Sequence, residues 1–102
     1  MCLRVADNAA MLYMILEDFK GNPAAVYRRF AERGRLAPDG LRYVNSWVTT
    51  DLQRCYQVME CDDPRLLEQW MDQWKDIVDI EVIPVLTSSE AAAVVQRSPR
   101  GE

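Results

Sequence analysis

Apolar residues in this chain come in short blocks parted by polar turns, and the period changes from block to block. Met11–Asp18, MLYMILED, is a nearly unbroken apolar run, the pattern of a strand covered on both faces. Asn22-Pro23 follows this run, and Asp63-Pro64 follows a second apolar run 41 residues later. A capping side chain ahead of Pro at the first helical position starts a helix. The spacing therefore predicts strand-helix-strand twice. Helix one is expected over residues 23–33, with Val26, Tyr27 and Phe30 as its apolar stripe and Gly34 as its stop. Ala37-Pro38-Asp39-Gly40 is a turn, because Pro presets φ and Gly supplies positive φ. Strands two and three are expected over 41–49 and 53–61, joined as a hairpin through Thr50-Asp51-Leu52. Helix two, over 64–75, puts Leu66, Leu67, Trp70, Met71 and Trp74 on one side. Trp70 and Trp74, four apart on that face, read as core.

Strand four, over 80–86, contains Pro84, which has no N–H for a ladder and so belongs at a sheet edge. Thr87-Ser88-Ser89-Glu90 is a capping-box pattern opening a short Ala-rich helix. The order βαββαβ with right-handed crossovers predicts an α+β, ferredoxin-like fold. Its sheet has four antiparallel strands in the order 4-1-3-2, with helices on one face. Strand one then lies centrally, where MLYMIL belongs. The expected organisation is one domain over residues 11–93, an N-terminal extension over 1–10 and a flexible C-terminal tail over 94–102.

Helices on one face leave the other face of the sheet open. Pairing the hairpin about Asp51 sets Trp47 opposite Cys55, Asn45 opposite Gln57 and Tyr43 opposite Met59. These six are assigned to the open face, and Val44, Ser46, Val48, Tyr56 and Val58 to the helices. A slip of one residue would regroup both sets. An open face carrying Tyr43, Trp47 and Met59 is too apolar for water, so a homodimer through that face is expected. Asn45, Gln57 and Cys55 would then be polar groups in an apolar cleft, the composition of a small-molecule pocket.

Charge and composition narrow the classes. The net charge of -4 gives no global support to nucleic-acid binding. No apolar run is long enough to span a bilayer, and a cytoplasmic location is the expectation. With no histidine, a Ser-His-Asp triad, a Cys-His dyad and histidine-ligated zinc or haem are excluded from this chain alone. The three cysteines, Cys2, Cys55 and Cys61, form no CxxC pair and read as reduced thiols. Cys55 reads as a small buried hydrophobe rather than a nucleophile. Arg28, Arg29, Arg33 and Arg35, spaced around Glu32, read as a solvated basic face. Glu17 and Asp18 end strand one and Glu60, Asp62 and Asp63 follow strand three; both ends are expected at the same edge of the domain. A divalent-cation reading of that cluster competes with Asp63 as a helix cap, and no metal or cofactor is assigned.

The stretches MLYMILEDFK, VYRRFAERGRLAPDGLRYVNSWV and RCYQVMECDDPRLLEQWMDQWKDIVDIEVIPV resemble an uncharacterised bacterial domain-of-unknown-function family (3303-like). GRLAPDGL and RCYQVME are the most specific parts of the likeness. That family is similar to the dimeric α/β-barrel, ferredoxin-like superfamily, which includes small cofactor-free monooxygenases, lactone isomerases and stress-response proteins. The resemblance implies the fold and a dimer, and brings no catalytic residues. Two functional expectations follow. The first is a dimer that binds a small hydrophobic or aromatic molecule, or is purely structural. The second is a cofactor-independent monooxygenase or isomerase acting on a small metabolite.

Overall fold

The computed structural model describes residues 10–97. The elements run β1 (Met11–Asp18), α1 (Pro23–Arg33), β2 (Arg42–Val48), β3 (Arg54–Cys61), α2 (Arg65–Asp72), β4 (Asp79–Val85) and α3 (Ser88–Arg97). One antiparallel sheet holds the strands in the order β2-β3-β1-β4, the expected order read from the other edge. The fold is α+β and ferredoxin-like. Pro84 stands on edge strand β4, and β1 lies between β3 and β4.

Local chemistry sets the element ends. Asn22 caps α1, its Oδ1 accepting the Ala25 N–H at 3.3 Å ahead of Pro23. Gly34, at φ 72°, closes the helix by donating its N–H to the Phe30 carbonyl at 2.8 Å. Asp63 Oδ1 takes the Arg65 N–H at 3.0 Å, next to Pro64 at the start of α2. α2 ends at Asp72, earlier than the sequence pattern suggests, and turns continue beneath Trp74: Lys75 donates to the Met71 carbonyl at 2.8 Å and Val78 to the Trp74 carbonyl at 3.0 Å. The capping box of α3 is complete, with Glu90 N–H on Thr87 Oγ1 at 3.0 Å and Thr87 N–H on Glu90 Oε1 at 2.8 Å. α3 buries none of its residues. The 1–10 extension, apart from Ala10, lies outside the described residues, and so do Cys2 and residues 98–102 of the tail.

The core lies between the sheet and the helix layer. Tyr13 and Ile15 of β1 and Met59 and Cys61 of β3 meet Val26 of α1, Leu67 and Trp70 of α2, and Trp74. Each such large apolar side chain contributes about 2 kcal/mol on burial.

The face assignment of the hairpin needs correction. The loop is longer by one step than a pairing about Asp51 requires. Thr49 N–H donates to the Arg54 carbonyl at 2.9 Å, Asp51 Oδ1 accepts from Thr49 Oγ1 at 2.7 Å and from Gln53 N–H at 3.0 Å, and Leu52 adopts φ 63°. Pairing therefore starts at Val48 with Cys55, continues Trp47 with Tyr56, Ser46 with Gln57 and Asn45 with Val58, and then meets a bulge between Tyr43 and Asn45. The bulge absorbs one residue, so Tyr43 still pairs with Met59. Cys55, Gln57 and Met59 consequently face the helices, and all three are buried. Trp47 and Asn45 stay on the open face, now with Tyr56 and Val58 beside them. Tyr43 follows Met59 to the helix side. A slip of one residue inverts every side chain of a strand, and here it inverts β3 against most of β2.

The acidic ends are also separated. β1 and β3 are antiparallel, with Asp18 opposite Arg54 and Met11 opposite Cys61. Glu17 and Asp18 thus sit at one end of the sheet, and Glu60, Asp62 and Asp63 at the other.

Candidate functional site

A pocket of about 150 Å³ lies between the helix layer and the sheet, open to solvent on one side. Its floor is the helix-facing side of β1, β2 and β3: Glu17, Cys55, Gln57, Ser46 and Val48. Its walls are aromatic. Phe19 follows β1, Tyr27 and Phe30 come from α1, and Trp70 and Trp74 come from α2 and the turn after it. Tyr27 and Phe30 are partly exposed, while Phe19 and Trp70 are buried. An apolar cavity of this size is enough for a benzene-sized molecule.

Three polar side chains cross the pocket in a chain. Gln57, 1% exposed, is the one buried polar residue among those described. Its Nε2 donates to Glu17 Oε2 at 3.0 Å, and its Oε1 accepts from Arg35 Nη1. A buried amide with both ends matched is a stable arrangement, because an unmatched one costs about 1–3 kcal/mol. The amide also separates the two charged groups: Glu17 and Arg35 meet through Gln57 rather than as an ion pair. Burial pushes the Glu17 carboxyl up from its ordinary value of 4.5 to about 7, against the opposing pull of the Arg35 charge. Burial, with Glu17 close by, pushes the Cys55 thiol up to about 12. A thiol held protonated in this way is a poor nucleophile, as the sequence suggests for Cys55. Tyr27 is also raised, by burial first and then by Cys55 and Glu17.

Arg35 is positioned with unusual care. The Trp70 and Trp74 indole N–H groups both donate to the Arg35 carbonyl, at 3.0 and 2.9 Å. The next residue, Leu36, takes φ 65°, which turns the chain back toward β2. The guanidinium lies over the Tyr43 ring at 3.8 Å from its centroid and over Phe30 at 5.2 Å. Tyr43 is fixed in turn by a 2.7 Å hydrogen bond between its hydroxyl and Ser46 Oγ. Among the described residues Arg35 has no carboxylate within ion-pair distance. Arg35 is thus not part of a solvated basic face; it leaves α1 and enters the pocket. Arg29 also departs from that reading, pairing both its Nη atoms with Asp76 at 2.8 and 2.7 Å and lying 5.5 Å from the Trp74 ring centre.

Of the six residues assigned to a ligand site from sequence, Cys55 and Gln57 line this pocket and Tyr43 borders it through Arg35. Met59 is buried in the core beside it. Asn45 and Trp47 lie across the sheet and do not join them. Glu17 and Arg35 were missed as a pair. The signal for Glu17 was available: it falls two residues after Ile15, on the buried parity of the most apolar strand. Arg35 carried no such signal, because its placement depends on tryptophans 35 and 39 residues away.

Among the described residues no His, Cys, Asp and Glu side chains gather in a group that would hold a metal ion. No helix among them is long and apolar enough to cross a membrane. Neither a curated protein nor a solved structure matches the chain. A family model, described as a domain of unknown function (DUF3303), matches residues 11–99. The match spans the sheet, its helices and the pocket between them, and the chain belongs to that family.

Proposed function

We propose that this protein binds a small, largely aromatic or apolar molecule in the pocket between α1, α2 and the sheet. The observation that carries the reading is the Glu17–Gln57–Arg35 chain on the wall of an aromatic cavity. A solid core has no use for an arginine held by two indoles beside open space. A few oriented polar groups in a concave apolar site are what ligand pockets are made of. The test is titration of isotope-labelled protein with small aromatic compounds, followed by NMR at the Trp70 and Trp74 indole N–H and the Gln57 side-chain amide. Shifts at these three groups support the reading. Shifts confined to exposed Trp47, or none, refute it.

The protein acts as a homodimer in this reading, paired through the open sheet face. Leu12, Met14, Leu16, Trp47, Tyr56, Val58 and Ile83 share that face, and Trp47 is 56% exposed. A second copy covers such an apolar face most simply. Trp47→Asp should shift the sedimentation of the dimer to that of a monomer; a wild-type monomer at micromolar concentration would overturn the proposal. Free Cys55 and Cys61 fit the reducing cytoplasm.

The second reading, a cofactor-independent isomerase or monooxygenase, is favoured by one observation. A carboxyl at about 7 can both take and return a proton near neutrality. Turnover of a small enolisable compound that is lost in Glu17→Gln, with ligand binding retained, separates this reading from simple binding.

A further inference from the structure

The charge balance of the pocket narrows its ligand, and this step rests on the pocket reading above. Arg35 is a permanent cation. It sits on the wall of an aromatic pocket, with a neutral amide and two ring faces as its neighbours. The Glu17 carboxyl of the pocket is linked to Arg35 through Gln57. Glu17 Oε2 is engaged by Gln57, and Oε1 has no partner among the described residues. The titratable groups around Glu17 are Cys55 opposite it on β3, Tyr27 from α1 and Arg35 from the loop before β2. At the strand end, Asp18, Arg54, Tyr56, Asp79 and Glu81 line a second hollow with it.

We propose that the pocket takes a small planar organic monoanion, an aryl carboxylate of about the size of benzoate, held by Arg35 and by Glu17 in its protonated form. The ring lies among the aromatic walls, and the carboxylate takes the position facing the guanidinium. An ionised Glu17 would repel that carboxylate, whereas a protonated one donates its O–H to it. Binding therefore draws one proton onto the protein wherever the free protein holds Glu17 ionised. That proton comes from the solvent and forms the Glu17 O–H; no other covalent bond is made or broken. A neutral ligand of the same shape finds the same walls, yet leaves the guanidinium without an anion.

The experiment compares benzoate with benzamide, a neutral molecule of nearly the same shape, on the full chain by calorimetry and by NMR. With Glu17 titrating at about 7, benzoate should bind about 30-fold more weakly at pH 8.5 than at pH 6. Heats at pH 8.5 measured in two buffers of different ionisation enthalpy should show uptake of close to one proton. Glu17→Gln keeps a donor at this position, so benzoate affinity should become flat with pH. Arg35→Gln leaves the backbone carbonyl with its two indoles, and should weaken benzoate at least tenfold while changing benzamide little. Benzamide binding as tightly as benzoate at pH 6, or benzoate binding with no proton uptake, overturns the anion proposal and leaves the pocket standing. If neither compound moves the Trp70 and Trp74 indole signals, both the proposal and the pocket reading fail.

Discussion

Glu17→Gln should make the folded protein more stable at alkaline pH and leave it nearly unchanged in acid. Glu17 titrates at about 7 in the folded chain against 4.5 for an ordinary glutamate carboxyl, with burial as the cause. Below pH 4.5 both the folded and unfolded states hold the proton, and the group contributes no penalty. Between those values the folded state keeps a proton that the unfolded state has lost. Stability therefore falls as pH rises through this window, and levels off above about 7. At roughly 1.4 kcal/mol per pH unit, the full span is worth about 3 kcal/mol. A glutamine at position 17 still accepts the Gln57 Nε2–H and carries no charge to desolvate. The assay is urea denaturation of wild type and variant at pH 4.5, 6 and 8, compared as differences so that every other titrating group cancels. The expected gap is near zero at pH 4.5 and about 2–3 kcal/mol in favour of the variant at pH 8. A gap that does not change with pH would mean that Glu17 is solvated in the folded chain and that the pocket does not shield it.

Gln57→Leu strands both Glu17 and the Arg35 guanidinium, and should lower stability by about 1–3 kcal/mol in thermal or urea melts; Asn45→Leu, on the open face, should be close to neutral. Trp70→Phe and Trp74→Phe each leave the Arg35 carbonyl one indole donor, so the double variant should lose more than the sum of the two single losses, read as a double-mutant cycle. Cys55 and Cys61 are buried free thiols, with Cys55 at about 12, so in freshly reduced protein they should react with a disulfide reagent far more slowly when folded than in denaturant.

Much of the architecture was legible without coordinates. Asn22-Pro23, Gly34 and Thr87 to Glu90 act through bonds that span four residues or fewer, so the helix ends they announce appear where the sequence puts them. Pro84 and the unbroken MLYMIL run were enough to set the edge and the centre of the sheet, since one lacks a donor and the other needs cover on both faces. Those are local or compositional constraints, and they carry over into any packing. The family resemblance read from the strands and the GRLAPDGL turn also stands.

The site was settled elsewhere. Which side of β3 meets the helices depends on a single residue of register, and that residue was decided by the Thr49 to Arg54 bond, the positive φ of Leu52 and the bulge beside Tyr43. Nothing in the alternation of β3 itself distinguishes Cys55, Gln57 and Met59 from Arg54, Tyr56 and Val58 strongly enough to choose. Tertiary packing chose, by setting Gln57 between two charged partners that lie 40 and 22 residues away in the chain. Trp70 and Trp74 show the same division. Their four-residue spacing determined that they would be buried together on one helical face. Only the fold brought the Arg35 carbonyl within reach of both indoles, because a hydrogen bond between distant segments is a property of how layers meet and not of either segment alone.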